Sequence, residues 1–147
     1  MKQSIYTLVP LLLVLLMISS CKKETPANIT QPVTTGTNSI NGTWNLIRIY
    51  GGIAGINETH NSGDVEWTFD TQAGTLTVND NGNSSAYYDL PSGTYNFQQI
   101  SSSNQHYLAI EANELGQFTI SGNQLVIDEN NKSDGEGACG FYMVLER

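Results

Sequence analysis

Basic residues are scarce in this chain, and their scarcity limits the partners that the protein can have. The 147-residue sequence contains six Lys and Arg against fourteen Asp and Glu, and from Asn41 onward three bases stand against thirteen acids, a net charge of −10. A surface with this balance repels the phosphates of nucleic acids and the headgroups of anionic lipids. We therefore expect no nucleic-acid partner and no basic membrane-binding face.

Cysteine and histidine are also rare, which excludes several kinds of site. The chain has two cysteines, Cys21 and Cys139, and two histidines, His60 and His106. Their spacing matches no zinc motif, and the sequence contains no nucleophile elbow and no phosphate-binding loop. The sequence predicts a protein that is not an enzyme and has neither a metal nor a cofactor.

One segment, 128–136, is rich in the oxygen ligands that calcium prefers. Its spacing departs from that of an EF-hand loop, and Lys132 lies inside it, where a calcium site should be purely anionic. We predict a solvated acidic turn at this place.

The longest apolar run lies at the start of the chain. Lys2 precedes an apolar core from Leu8 to Ile18, and Ser19 and Ser20 follow it, which is the layout of a secretory signal. The core is well short of the roughly 20 residues that a membrane-spanning helix needs. We interpret residues 1–20 as a cleaved signal peptide.

The stretch Ile18-Ser19-Ser20-Cys21 resembles the lipobox of bacterial lipoproteins. The resemblance implies that the signal is cut before Cys21, which then carries acyl chains, such as palmitate, on its sulfur and its new amino terminus. Several chains, at about 0.8 kcal/mol per buried CH₂, form a stable anchor. Lys22 stands where an aspartate would resemble an inner-membrane retention signal, so we expect a lipid anchor in the outer membrane. The sequence leaves open whether the protein faces the periplasm or the cell surface.

Residues 21–40 comprise the lipidated cysteine and a tether. The segment Lys22–Ser39 has two prolines, five threonines and few large apolar residues. Such a composition cannot offset the entropy cost of ordering the chain. We expect a disordered tether that links the lipid to a folded domain at 41–147.

The domain at 41–147 reads as all-β. Thr43 to Tyr50 alternates, which predicts Trp44, Leu46, Arg48 and Tyr50 on one face and Ile47 and Ile49 on the other. Seven further alternating runs are separated by Gly, Asn, Asp and Ser, and no stretch combines helical spacing with caps. These runs are Val65–Asp70, Leu76 to Val78, Tyr95 to Phe97, His106–Glu111, Gln117–Ile120, Gln124–Asp128 and Phe141–Glu146.

Eight sequential strands with short links form either a closed antiparallel up-and-down β-barrel or a β-sandwich. A barrel removes both exposed edges of the sheet, and eight strands leave an interior that side chains fill or that holds one small ligand. The meander order requires no long crossover. It therefore favours the barrel over the alternative β-sandwich.

The motif Gly42-Thr43-Trp44 at the entrance of the first strand resembles the Gly-x-Trp signature of lipocalins. With Gly51-Gly52-Ile53-Ala54-Gly55 and Trp67-Thr68-Phe69, it makes Gly42–Arg147 similar to the small lipocalin-like domains of bacterial lipoproteins. The resemblance implies a barrel closed at one end by Trp44, beside Gly42, with Arg147 packed on the indole in a cation–π contact. Gly51 to Gly63 would form a long loop over the open mouth.

The aromatic side chains predicted to face the interior are the candidate ligand site. A packed core accounts for all of them, and the alternative is that those near the mouth line an apolar pocket with a few polar anchors. The predicted interior set is Trp44, Trp67, Phe69, Tyr95, Phe97, Tyr107, Phe118 and Phe141. The ligand-binding candidates are Trp67, Phe69, Tyr95, Phe97 and Tyr107, with Arg48 and Tyr50 orienting a head group.

Two functions are consistent with these features. The first is a lipid-anchored, lipocalin-like protein that binds a small apolar molecule. The second is a non-enzymatic protein-interaction or inhibitor module whose barrel is solid and whose loops bind an envelope protein. Anchored eight-stranded barrels that act as enzyme inhibitors are an analogy to it in architecture. A barrel filled by side chains, with no cavity larger than a water molecule, would contradict the first function. A large exposed apolar or acidic loop patch beside a filled interior would favour the second.

Overall fold

The computed structural model describes residues 39–82 and 90–147, which form an all-β domain. The strands are β1 Gly42–Gly51, β2 Ile56–Thr59, β3 Val65–Asp70, β4 Thr75–Asp80, β5 Gly93–Ser102, β6 Gln105–Ile110, β7 Asn113–Ser121, β8 Gln124–Asp128, β9 Asn131–Lys132, β10 Gly135–Glu136 and β11 Phe141–Glu146. The described part of the chain contains no helix of the length and hydropathy needed to cross a membrane. The predicted signal peptide, Cys21 and nearly all of the predicted tether lie outside the described residues.

The long strands form a closed antiparallel barrel in which chain neighbours are sheet neighbours. The order is β1-β3-β4-β5-β6-β7-β8-β11, and β11 pairs back with β1 to close it. This arrangement contains no Greek-key crossover, so the barrel prediction is confirmed and the sandwich alternative is not. Each of the eight predicted strands is present, with ends that differ by a few residues.

Three short strands were not predicted. β2 folds back on the second half of β1, pairing Gly51 with Ile56 and Arg48 with Thr59, while the first half of β1 pairs with β3. The predicted mouth loop at 51–63 is therefore largely a hairpin. β9 and β10 form a separate two-stranded hairpin within the connection 129–140. Strands of two to four residues are too short to display an alternating pattern, which is why the sequence did not reveal them.

The two ends of the barrel differ in their connections. Antiparallel pairing places the starts of β3, β5, β7 and β11 at one end and those of β1, β4, β6 and β8 at the other. The first end bears the long connections 52–64, 81–92 and 129–140, and we call it the mouth. The second, the closed end, has only short turns between the described strands, at 71–74, 103–104 and 122–123.

The interior holds one cluster of buried apolar side chains. Seventeen residues contribute to it, from every long strand and from the residue Ile40 that precedes β1. An eight-stranded barrel is just wide enough for side chains to fill. The bulkiest fully buried members are Trp44, Trp67 and Phe69.

Candidate functional site: the two ends of the barrel

The closed end is covered by Trp44, which contacts both Ile40 and Arg147. The Trp44 side chain is fully buried, and its indole N–H donates to the Ile40 carbonyl oxygen at 2.7 Å. The Arg147 guanidinium carbon lies 4.3 Å from the centre of the indole ring. This is the cation–π geometry that the lipocalin resemblance implied. Gly42 begins β1 just before it, with a φ of 106° that favours glycine.

The central aromatic residues of the predicted ligand set are members of the core. Trp67 is 0% exposed, Phe69 1% and Phe97 6%. The Phe69 and Phe97 rings meet edge to face at 5.1 Å, and Trp67 lies 6.0 Å from Phe69. Edge-to-face pairs of this kind stabilise a packed core. These three side chains therefore belong to the packed core of the barrel.

Arg48 and Tyr50 lie outside the barrel, so the prediction that they share the inner face with Trp44 is wrong. The pairing of β1 with β11 shifts register between Leu46 and Arg48, which marks a β-bulge at Ile47. A bulge adds one residue to a strand and reverses the faces that follow it. Ile49 consequently enters the core and is 1% exposed.

The displaced pair forms a stack on the outer wall. The Arg48 guanidinium carbon lies 4.5 Å from the centre of the Tyr50 ring, and Arg48 Nε donates to Asn57 Oδ1 on β2 at 2.9 Å. Tyr50 in turn stacks on Tyr142 with the ring centres 4.9 Å apart. This cluster attaches β2 to the outer surface of the barrel and gives neither Arg48 nor Tyr50 a route to the interior.

Tyr107 is also on the outer wall, so the prediction that it faces inward is wrong. The side chains of Leu108 and Ile110 enter the core, and those of Tyr107 and Ala109, which alternate with them, do not belong to it. The Tyr107 hydroxyl donates to Gln105 Oε1 at 2.6 Å, two residues away on the same face. The run Tyr107–Ile110 does not alternate between polar and apolar residues, so the sequence could not show which of its faces points into the barrel.

The mouth carries a rim of half-buried apolar side chains that rest on the core. They are Leu90 ahead of β5, Tyr95 near its start, Leu115 near the start of β7 and Phe141 at the start of β11. The Tyr95 hydroxyl donates to the Pro91 carbonyl at 2.7 Å. Of these four, only Tyr95 belonged to the predicted ligand set. Leu90 and Leu115 are isolated leucines in the sequence, and only the antiparallel order brings them to one end.

The two hairpins at the mouth approach each other closely at Phe141. Gly52 N–H donates to the Gly140 carbonyl at 3.1 Å. A Cβ at Gly52 would lie 2.8 Å from a ring carbon of Phe141, so only glycine permits this contact. Beyond it, the β1–β2 turn exposes Ile53, whose side chain is 78% accessible. The mouth therefore presents apolar surface both on its rim and at the tip of the β1–β2 turn.

Lys132 holds the connection 129–140 onto the mouth. Its ammonium donates to the carbonyl oxygens of Glu114 and Leu115 at 2.6 and 2.7 Å. The Glu114 carboxylate accepts in return from the backbone N–H and the hydroxyl of Ser133. Gly116 is where the end of β8 and the start of the connection meet β7, since a Cβ there would overlap the Asp128 carbonyl oxygen and lie 2.9 Å from Glu129 Cα.

The prediction of a solvated acidic turn at 128–136 is wrong for most of that segment. Asp128 Oδ1 accepts from the backbone and side-chain N–H groups of Asn130, and Glu129 Oε2 accepts from the Phe141 N–H. Asn130 is itself buried, and Gly140 N–H donates to its amide oxygen at 2.8 Å. The carboxylates of Asp128 and Glu129 thus organise the connection through hydrogen bonds from N–H groups.

The remaining reactive side chains are dispersed. Within residues 39–82 and 90–147, no three His, Cys, Asp or Glu side chains come close enough to share a metal ion. Cys139 is half-buried in a left-handed conformation with φ of 63°. His60 lies just after β2, and the Ser101 hydroxyl and His106 Nδ1 are 3.1 Å apart on the β5–β6 hairpin.

An open depression of about 250 Å³ lies at the closed end, beside the β5–β6 turn. Its polar lining consists of Asn104, Gln105, His106, Gln117 and Thr119. Phe118 and Ile120 complete it. The depression could not be predicted from the sequence, because it arises from the pairing of β6 with β7 and not from a motif.

Comparison with known proteins agrees with this architecture. No curated protein and no solved structure matches the chain. A family model described as the lipocalin-like domain matches residues 40–139. These residues begin at Ile40, which accepts the Trp44 hydrogen bond, and include all the strands up to β10. The chain belongs to the lipocalin-like domain family.

Proposed function

We propose that the protein is a lipid-anchored member of the outer membrane that binds a small apolar molecule at the mouth of its barrel. The lipocalin-like fold is suited to binding a small ligand rather than to catalysis. The observation that carries the proposal is the rim formed by Leu90, Tyr95, Leu115 and Phe141, which are half-buried and pack on the core.

The rim supports a site over the core and not deep within it. Trp67, Phe69 and Phe97 already pack against one another below the rim. Each rim side chain keeps part of its apolar surface in water, and covering such surface contributes about 25 cal/mol per Å². A ligand that lies across the rim gains this contribution without displacing the core. Small-molecule sites commonly occur in the mouths of β-barrels.

The anchor and the rim belong to opposite ends of the domain. The proposed lipid is on Cys21, and the tether joins the barrel just before Ile40 at the closed end. A net charge of −10 opposes direct contact between the domain and anionic headgroups. The acyl chains therefore supply the membrane attachment, and the mouth remains accessible to ligand.

Photo-crosslinking of the full chain in its membrane tests the proposal. An alkyl probe that carries a diazirine should label peptides that contain Leu90, Leu115 or Phe141, and excess fatty acid should displace it. Leu115→Asn should weaken the labelling several-fold, because it places an amide in the apolar rim. Val144→Asn, which changes a half-buried valine on the outer wall, serves as the control. In the same cells, the Cys21→Ser chain should no longer be found in the membrane fraction.

Labelling spread evenly over the chain, without competition by fatty acid, would contradict the apolar site. The second candidate, a protein-interaction module, would then be favoured by the accessible Ile53 at the tip of the β1–β2 turn. Contiguous exposed apolar patches mark surfaces that bind proteins, and Ile53 would extend such a patch from the rim. Retention of the Cys21→Ser chain in the membrane would contradict the proposed lipid anchor but not the apolar site.

A further inference from the structure

We infer that two copies of this chain associate at the closed end by pairing one strand edge with its equivalent. The edge is formed by residues 98–102 of β5, which extend past the neighbouring strand β4, and we call it the β5 edge. It lies at the end of the barrel opposite the rim, so the inference is independent of the apolar site. It rests on strand pairing, on the direction of backbone groups and on the absence of charge.

The β5 edge exists because β5 is longer than β4. β5 has ten residues and β4 has six, and the register pairs β4 only with residues 93–96 of β5. The last bond on this side runs from the Phe97 N–H to the Gly74 carbonyl oxygen at 2.9 Å. Residues 98–102 then pair on one side alone, with β6. Barrel closure removes the free edges of a sheet, but it leaves this one uncovered within the described residues.

The β5–β6 turn fixes which backbone groups point away from the hairpin. Its two residues, Ser103 and Asn104, have φ of 49° and 67°, and positive φ at both positions is what a type I′ turn requires. The flanking residues of such a turn, Ser102 and Gln105, form a hydrogen-bonded pair. Hydrogen-bonded and non-hydrogen-bonded pairs alternate along an antiparallel ladder. Residues 98, 100 and 102 therefore direct their backbone groups toward β6.

Gln99 and Ser101 direct their backbone groups the other way, toward the place where β4 is missing. The bond from Phe97 to Gly74 follows the same alternation, since Phe97 also points away from β6. Within residues 39–82 and 90–147, no backbone group pairs with Gln99 or Ser101 on that side. Each of these two residues thus offers one N–H donor and one carbonyl acceptor.

The β5 edge has none of the features that prevent edge pairing. Gln98, Gln99 and Ser101 are exposed, so water reaches both faces of the strand here. Free edges are usually protected by charged side chains, proline, a bulge or a covering element. Residues 97–110 contain no Asp, Glu, Lys, Arg or Pro, and the register between β5 and β6 shows no shift. Another strand can therefore extend the sheet at this place.

Charge favours a second copy of the same edge as the partner. The rest of 41–147 carries thirteen acids and three bases, so two copies repel each other over most of their surfaces. A two-fold contact joins a surface to itself, and the β5 edge allows this without placing acid against acid. Antiparallel pairing of Gln99 with Ser101 of the second copy uses every outward N–H and carbonyl group of both residues. The same register places the half-buried Ile100 opposite Ile100 of the second copy.

Disulfide crosslinking of the full chain tests this register. In a Cys139→Ser background, Ile100→Cys places a thiol on the two-fold axis, where the Cα atoms of a non-hydrogen-bonded pair are about 4.5 Å apart. A disulfide spans roughly 4.4–6.8 Å between Cα atoms. A mild oxidant should therefore convert most of the Ile100→Cys chain into a covalent dimer. The Cys139→Ser background alone should remain uncrosslinked.

Gln98→Cys is the matched control on the same strand and the same face. In the proposed register Gln98 lies opposite Ser102 of the second copy, and the two Gln98 positions are about 13 Å apart at roughly 3.3 Å per residue. Gln98→Cys should therefore not crosslink with itself. A mixture of Gln98→Cys and Ser102→Cys chains should crosslink to each other.

Hydrogen exchange measures the backbone bonds directly. The full chain is compared at low and high protein concentration, in detergent with micelles in excess so that two chains are not confined together. The amides of Gln99 and Ser101 should exchange several-fold more slowly at high concentration. The amides of Gln98 and Ile100 already bond within the hairpin and should change less.

A charged variant tests the contribution of the uncharged edge. Ile100→Glu places two carboxylates opposite each other on the axis, and like charges in facing positions destabilise a strand pair. The fraction of dimer in native mass spectrometry should fall several-fold. Thr119→Glu makes the same change in net charge at an exposed position of β7 away from the β5 edge and should leave the dimer unchanged.

Three results would overturn the inference. They are the absence of a covalent dimer from Ile100→Cys, equal crosslinking by Ile100→Cys and Gln98→Cys, and exchange at Gln99 and Ser101 that does not depend on concentration. Slow exchange at every concentration would assign the edge to a segment of the same chain instead. None of these results bears on the alkyl-probe labelling of the rim, so failure of the dimer and failure of the apolar site are separate outcomes.

Discussion

The two ends of this barrel are built on different principles. The closed end has short turns and one fully buried tryptophan, with Ile40 and Arg147 in contact with its indole. The mouth has long connections, half-buried apolar side chains and one lysine that donates to two carbonyl groups. One end is held mainly by burial and the other mainly by hydrogen bonds to a polar connection.

This difference indicates which end can bind ligand at low cost to stability. Burial of apolar surface is the main source of folding free energy, so residues of the closed-end core have little freedom to change. Half-buried side chains contribute less to stability and have surface left for a ligand.

The largest expected effect on stability is at Trp44, which closes one end of the barrel. Trp44→Ala should lower the free energy of unfolding by about 3–5 kcal/mol, because it removes a fully buried aromatic ring and leaves a cavity. Phe141→Ala at the mouth should cost clearly less, since its ring is only half-buried. Urea denaturation followed by circular dichroism measures both. Trp44→Phe, which keeps a ring and loses the bond to Ile40, should fall between them. Equal losses for Trp44→Ala and Phe141→Ala would show that the two ends do not differ in this way.

An intermediate effect is expected at Lys132. Lys132→Met keeps the apolar stem but removes two hydrogen bonds from an ammonium to the Glu114 and Leu115 carbonyls. One bond to a charged group contributes about 1.5–3 kcal/mol, so the loss of both should lower the free energy of unfolding by at least that amount. Amide exchange at 129–140 should accelerate more than exchange at the closed end.

Arg48→Met controls for the change in net charge, because Arg48 is a cation on the outer wall that packs on Tyr50. If both substitutions accelerate exchange equally at the two ends, Lys132 does not specifically hold the mouth connection.

Much of the barrel followed from local patterns. Alternation over Val65–Asp70 and Gln124–Asp128, with turn residues between the runs, was sufficient to predict the eight long strands and their order. The contact of Arg147 with Trp44 spans nearly the whole domain, and only the family resemblance pointed to it. Local periodicity fixes where a strand lies but carries no information about such distant pairs.

The candidate sites were harder to predict because small irregularities decide them. In Leu46-Ile47-Arg48-Ile49, three of four residues are apolar, so the bulge that turns Arg48 and Tyr50 outward leaves no mark in the pattern. The rim leucines and the depression depend on which strands become neighbours. A functional surface assembled from several strands is a property of the closed sheet and not of any one segment.

The smallest expected effect on stability concerns the two arginines that pack on aromatic rings, Arg147 at the closed end and Arg48 on the outer wall. Arg147 lies 4.3 Å from the Trp44 ring centre and Arg48 lies 4.5 Å from that of Tyr50, so the two contacts have nearly the same geometry. Exposed cation–π contacts contribute about 0.5–1 kcal/mol, and Arg147→Gln and Arg48→Gln should each lower stability by that amount. The fluorescence of Trp44 should change only with Arg147→Gln. A double-mutant cycle with Trp44→Leu, which removes the aromatic ring, should then recover most of the Arg147 contribution as coupling, because the contact of Arg147 depends on that ring. Zero coupling would show that burial alone, without the arginine, seals the closed end.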